Sequence, residues 1–290
     1  WLLNIAAAMN AHVIRAVLLA CLLGWSAAST YGFGQAGAVP DLNGLSAQDA
    51  GLAIFTAADA RASGYGDMQV ELEMVLRNAR GTAVHRELRI RQLEVPDDGD
   101  KLLVVFDTPK PIKGTALLSY GHKLAPDDQW LYLPAIKRVK KIASRNKSGP
   151  FLSSEFAYED LIAQELEKFT YRFIRRDDHR SAAGELIPCY VVERTPVDTH
   201  SGYSRQVVWL DVDELRVRQV EYFDRRDGRL KTLAIADYSQ YDGGFWKAAN
   251  MQMVNHQTGK STELRWRNYR FATGLSDERD FSTNSLRRVR

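Results

Sequence analysis

Cysteine is scarce in this sequence: Cys21 and Cys189 are the only two among 290 residues, too few for a disulfide framework or a cysteine-rich zinc site. The six histidines, His12, His85, His122, His179, His200 and His256, stand far apart, and none pairs at a metal-ligand spacing. There is no G-x-S-x-G elbow and no glycine-rich phosphate loop. Acidic pairs are common, but each lies beside basic residues and reads as surface. These absences predict a protein that is not an enzyme and has no catalytic residue, metal or cofactor. An excess of one charge is missing too: 39 basic against 36 acidic residues leave a net +3, which is no footprint for nucleic acid. Beyond the N-terminal region no apolar run approaches the roughly 20 residues that span a bilayer.

The first 38 residues differ from the rest. Arg15 precedes an apolar run of ten, Ala16 to Trp25, and small residues follow with Ser26-x-Ala28 and Ala36-x-Ala38 as cleavage candidates. This is the layout of a secretory signal peptide, with Met9 as the expected start and the periplasm as the destination. Leu18-Leu19-Ala20-Cys21 has the outline of a lipidation site, but the apolar run continues past the cysteine. Removal of the segment leaves Cys189, which sits in an apolar run and is expected to be buried and inert.

From residue 39 to 290 the pattern is that of a single domain. Ser46 is a good N-cap for a helix carrying Leu52, Ile54 and Phe55, ended by Gly64 and Gly66. Strict alternation then puts Met68, Val70, Leu72, Met74 and Leu76 on one strand face and Gln69, Glu71, Glu73 and Arg77 on the other. Further strands are expected at 84–93, 101–107, 114–120, 129–133, 169–174, 189–194, 205–212, 217–223, 230–238, 245–257 and 262–271. Turn signals punctuate them, among them Asp97-Asp98-Gly99-Asp100, Asp227-Gly228 and Thr258-Gly259. A second helix is expected at 154–168, and 175–184 reads as a polar turn. The fold class is therefore mainly β with a few helices. About eleven antiparallel strands form one curled sheet whose concave face is too wide for two helices to fill, leaving a hydrophobic cavity.

Two local features stand out. Lys137, Arg138, Lys140, Lys141, Arg145 and Lys147 place six positive charges in eleven residues, with Ile136, Val139 and Ile142 interleaved. They form either a solvated loop or a contact for anionic head groups or an acidic partner. Gly149 and Pro150 then break the chain ahead of Phe151, Phe156, Tyr158 and Leu161, a segment that is either a plain connector or a lid.

The central run carries a resemblance. Pro111-Ile112-Lys113-Gly114-Thr115-Ala116-Leu117-Leu118 leads to Asp128-Gln129-Trp130-Leu131-Tyr132-Leu133-Pro134-Ala135, then to the basic run and to KSGPFLSSEFAYEDL at 147–161. This is similar to the outer membrane lipoprotein-sorting (LolA-like) family, in the branch associated with RND/MMPL-type transporters. The resemblance implies an incomplete β-barrel closed by a helical lid over a cavity for lipid or lipoprotein acyl chains. It also implies a periplasmic carrier role with an inner-membrane RND/MMPL-type transporter and an outer-membrane acceptor, the carrier itself being a monomer. Met68, Val70, Leu72, Met74, Leu76, Leu88, Ile90, Leu117, Trp130, Tyr132, Val208, Leu233 and Ile235 are the expected cavity residues, with Leu103 and Val105 competing with Leu102, Val104 and Phe106 for the inner face. A lipid-sensing regulatory module of the RseB-like kind, and a permanent accessory subunit of an envelope transporter, are the alternatives.

Overall fold

The computed structural model describes residues 39–162, 164–241 and 244–288. The signal-peptide reading of residues 1–38, with Cys21, lies outside the described residues. Helix α1 (Ala47–Ala62) comes first, its N-terminus held by the Ser46 hydroxyl, which accepts from the Asp49 amide at 3.1 Å.

Six strands follow: β1 (Asp67–Arg77), β2 (Ala83–Leu93), β3 (Lys101–Thr108), β4 (Ala116–Tyr120), β5 (Asp128–Leu133) and β6 (Arg138–Lys141). Residues 142–168 then lead to seven more: β7 (Phe169–Arg180), β8 (Leu186–Pro196), β9 (Tyr203–Asp211), β10 (Val217–Asp224), β11 (Arg229–Tyr241), β12 (Phe245–Asn255) and β13 (Ser261–Phe271). All belong to one antiparallel sheet in the order β6-β5-β4-β3-β2-β1-β13-β12-β11-β10-β9-β8-β7. The sheet is curled and unclosed. Two meanders, β1 to β6 and β7 to β13, meet where β1 pairs with β13, and the free edges are β6 and β7.

The thirteen strands exceed the eleven or so expected: β6 was not foreseen, and β7 runs further than its expected span of 169–174. Strand β6 lies inside the basic run, and the supposed turn at 175–184 begins as the outer half of β7, paired with β8 through Arg180 and Leu186. The expected helix at 154–168 does not form. Short 3-10 turns stand there instead, at Tyr158–Leu161 and Leu166–Lys168, preceded by another at Phe151–Ser153 in which Leu152 and Ser153 are both at positive φ.

The two faces of the sheet carry separate cores. Alternation puts Val70, Leu72, Met74, Leu88, Ile90, Val104, Phe106, Leu117 and Leu131 on the concave face with Val208, Val220, Leu233 and Leu264. The intervening residues Leu103, Val105, Ala116 and Leu118 point the other way, yet they are equally buried. The tail after β13 explains this. It forms a short helix, α2 (Asp277–Asp280), and lays the fully buried Phe281 and Leu286 over that convex patch. Tyr120 donates to the Phe281 carbonyl, and Arg91 reaches Asp280 at 3.3 Å. Cys189 is buried and unpaired in β8, and burial pushes its thiol up to about 11, in keeping with an inert residue.

Helix α1 covers the β7 end of the concave face through Ile54 and Phe55, the Phe55 ring lying 4.7 Å from that of Tyr171. Gly51 sets how closely it docks, since a Cβ there would lie 2.8 Å from the backbone nitrogens of Arg172 and Phe173. In an open helix Gly to Ala is worth about 1 kcal/mol of stabilisation. Here Gly51→Ala should instead destabilise by about 1–3 kcal/mol, because strand backbone cannot move aside. Urea unfolding of the two proteins measures the sign.

Candidate functional site

Residues 142–162 and 164–168 cross the concave face and divide it. On one side lies a cavity of about 390 Å³ between α1 and strands β8 to β12, lined by Phe55, Ala58, Leu166, Leu210, Leu215, Val217, Val220, Tyr222, Leu233, Ile235 and Trp246. On the other lies a cavity of about 240 Å³ against β1 to β3, β12 and β13. It is lined by Met68, Leu72, Met74, Leu88, Ile90, Leu102, Val104, Met251, Leu264 and Trp266, with Phe151, Phe156, Leu161 and Ile162 from the connector. Asp160 borders both. Together the chambers fall within the roughly 300–1,000 Å³ typical of ligand sites, and both are predominantly apolar.

The connector is tied down by buried polar contacts. Asp160 accepts from Lys231 Nζ at 2.7 Å, from the Tyr203 hydroxyl at 2.9 Å and from the Ala157 amide at 2.7 Å. Lys231 also donates to the Glu155 carbonyl at 2.9 Å, while the Glu155 carboxylate takes Asn255 at 2.7 Å. Thr262 Oγ1 receives the Glu155 amide, and Arg86 of β2 donates to the Leu152 carbonyl at 2.7 Å. Glu159 accepts from Ser201 Oγ at 2.7 Å and from the Gly202 amide at 2.9 Å. Burial raises the Glu159 carboxyl above its ordinary value, more than these donors lower it.

A polar vestibule of about 540 Å³ borders both chambers, sharing Asp59, Ala62 and Gln164 with the larger and Gln92 and Asp100 with the smaller. Its charged groups are mostly acidic: Asp59, Glu94, Asp98, Asp100 and Glu165 against Lys123 and Lys247. Burial raises the carboxyls of Asp59, Glu94 and Glu165 and lowers the Lys247 ammonium to about 8, where it lies 4.1 Å from the Tyr65 ring centre.

Comparison with solved structures finds this architecture elsewhere. A Vibrio parahaemolyticus domain described as an outer membrane lipoprotein-sorting protein superposes with a TM-score of 0.78 at 48% identity, covering 83% of this chain and 99% of that one. The chain belongs to the outer membrane lipoprotein-sorting family. A DUF1329 family protein from Desulfovibrio piger matches at 27% identity with a TM-score of 0.76, over 83% of this chain and 100% of its own. A LolA superfamily protein from Nitrosomonas europaea shares the fold at 16% identity, with a TM-score of 0.64 over 83% of this chain and 99% of its own. The family model that matches residues 98–288 carries only the description of an uncharacterized protein. Comparison with the curated proteins finds none that matches.

Of the cavity residues expected from the strand faces, Met68, Leu72, Met74, Leu88 and Ile90 line the smaller chamber, and Leu233 and Ile235 the larger. Val70, Leu76, Leu117 and Val208 belong to the concave core without bordering either chamber. Trp130 and Tyr132 are corrections: alternation along β5 turns Leu131 inward, and both aromatics pack on the convex side near Val139. Leu103 and Val105 are convex for the same reason. Phe151, Phe156 and Leu161 do border the smaller chamber, and Tyr158 packs behind them against Phe151. Gly149 and Pro150 form the neck of this loop, where the Tyr158 amide donates to the Gly149 carbonyl and Pro150 bridges to Ala157.

The basic run splits. Lys137, Arg138, Lys140 and Arg145 are exposed at and beyond the β6 edge, and Lys141 pairs with Asp128 at 2.6 Å beside Trp130. Lys147 is the exception. It is 4% exposed and donates to the Asp127 carbonyl, so it supports the connector and is no surface contact. Sequence reasoning missed Asp160 and Arg194 and the α1 residues Phe55 and Ala58; the helical spacing of the last two was a usable signal.

Breaking one partner of a buried ion pair costs about 3–5 kcal/mol. Lys231 and Asp160 side chains are 4% and 7% exposed, so Lys231→Met should destabilise by that amount in urea unfolding. Glu159 supplies a pH signature. A carboxyl raised in the folded state holds its proton more tightly than in the unfolded chain, so its contribution is lost as pH climbs from the ordinary carboxylate value through the raised one. Stability measured across mildly acidic pH should fall less steeply with rising pH in Glu159→Gln than in the parent.

Proposed function

We propose that this chain is a periplasmic carrier, without chemistry of its own, that takes acyl chains of a lipid or lipoprotein into the two chambers and moves them toward the outer membrane. The observation that carries this reading is the pair of apolar chambers on the concave face of a lipoprotein-sorting fold. Exposing an acyl chain to water costs about 0.8 kcal/mol per methylene, or about 12 kcal/mol for about fifteen methylenes. Walls of Met, Leu, Ile and Val offset that cost, and Met68, Met74 and Met251 adapt to chains of differing shape. Each of the two chambers on either side of Asp160 can take one chain. The polar vestibule that borders both, its charged residues mostly acidic, suits an uncharged or cationic head group.

The exposed charges Lys137, Arg138 and Lys140 on the free β6 edge fit the second half of the proposal, contact with an inner-membrane RND/MMPL-type transporter during loading, ahead of handover to an outer-membrane acceptor. The same charges also blunt an edge strand against unwanted pairing.

Native mass spectrometry with lipid extraction, on protein purified from a Gram-negative periplasm, should show a bound acylated species. Leu72→Arg, which puts a charge into the smaller chamber, should reduce that species at least tenfold while a cooperative thermal transition persists. Lipid retained at the parent level would remove Leu72 from the site. A clean unliganded mass, with no uptake from added vesicles, would end the carrier reading.

A further inference from the structure

Three arginines line the larger chamber, and only two are matched by carboxylates. Arg61 lies 3.5 Å from Glu214 and donates to the Asp213 carbonyl at 2.7 Å, and Arg216 meets Asp211 at 2.8 Å. Arg194 is 8% exposed. Its Nε donates to the neutral Gln206 Oε1 at 2.8 Å, and its guanidinium lies 4.4 Å from the centre of the Phe169 ring and 5.5 Å from that of Phe55. Among the described residues no carboxylate ion-pairs with it. Asp160, the acidic group whose field reaches it, is bound to Lys231. A guanidinium buried among aromatic rings without an anion is costly, and its terminal N–H groups form a fork suited to a carboxylate or phosphate.

We propose that Arg194 is the anchor, within the larger chamber, for the acidic head of a single-chain lipid, whose carboxylate or phosphate oxygens accept from the terminal guanidinium nitrogens while the chain runs along Val220, Leu233 and Ile235. This rests on the reading that the chambers hold acyl chains, and it names the ligand class that the larger one prefers. The acid-rich vestibule offers an anionic head no partner of equal quality, so the head gains by moving past it to Arg194. Neutral ester and amide carbonyls can accept from the same fork but gain less from its charge.

The test uses delipidated full-length protein and three ligands of equal chain length: dodecanoate, dodecyl phosphate and dodecanol, each titrated against a displaceable apolar fluorophore. At least one acid should bind about tenfold or more tighter than the alcohol, the size expected of a charge-assisted hydrogen bond. Whichever acid binds tighter distinguishes a carboxylate from a phosphate head. In Arg194→Gln the preference should collapse toward parity with dodecanol affinity kept, and Arg194→Lys should retain part of it. Should Arg194→Gln fail to fold, the parent ratio and the Lys variant decide. Equal binding of all three ligands by the parent overturns the proposal and leaves the carrier reading standing. No binding of any of them overturns both.

Discussion

A length of backbone that crosses an apolar face carries its amides and carbonyls with it, and each must find a partner there or be left unsatisfied at a cost of about 1–3 kcal/mol. The connector between β6 and β7 faces this constraint, because it joins the two free edges of the sheet across the concave side. The solution is polar and local. Lys231, Asn255, Thr262, Tyr203 and Ser201 rise from five positions on the β-sheet and its loops to meet the connector. Fixing the connector in this way divides the cavity in two, sets Asp160 between the halves and holds Phe151 and Phe156 over the smaller one. A helix would have satisfied its own backbone, but it would have withheld the Glu155 amide and the Leu152 carbonyl that the sheet uses as handles.

Much of the sheet is legible in the sequence, since period-two alternation is the direct signature of a strand with one apolar face. Strand β1 reads cleanly because Glu71 and Glu73 face solvent on its convex side. Strand β3 does not. Leu102 to Phe106 is apolar throughout, as for any strand buried on both faces, and only the tail bearing Phe281 and Leu286 reveals why. The same tail claims Trp130 and Tyr132 for the convex core. Strand β6 was masked by its lysines, which carry no apolar alternation although they pair with β5 in register.

The candidate site was legible where it is built from strand faces and obscure where it is built from charge. Leu72 and Leu233 announce themselves by spacing. Arg194 sits at the end of the apolar run of β8 and gives no sign in sequence that its head group lies among Phe55 and Phe169, which come from a distant helix and a neighbouring strand. Lys147 belonged by sequence to a solvated run and by structure to the interior. A charge within a run of like charges carries no mark of which one folds inward.

The seam between β1 and β13 has a consequence for how the protein comes to be folded. Every other pairing in the sheet joins strands adjacent in sequence, which can zip as hairpins soon after they are made. The seam joins the first strand to the last, Met74 to Leu264 and Leu76 to Thr262. Its loop-closure entropy is the largest of any strand pairing in the sheet. The two wings can therefore assemble early, each with an unpaired edge at its root, but they become one sheet only when the chain reaches β13. Until then the outer edge of β1 is open, and whatever keeps it from a wrong neighbour guards the assembly of the whole sheet.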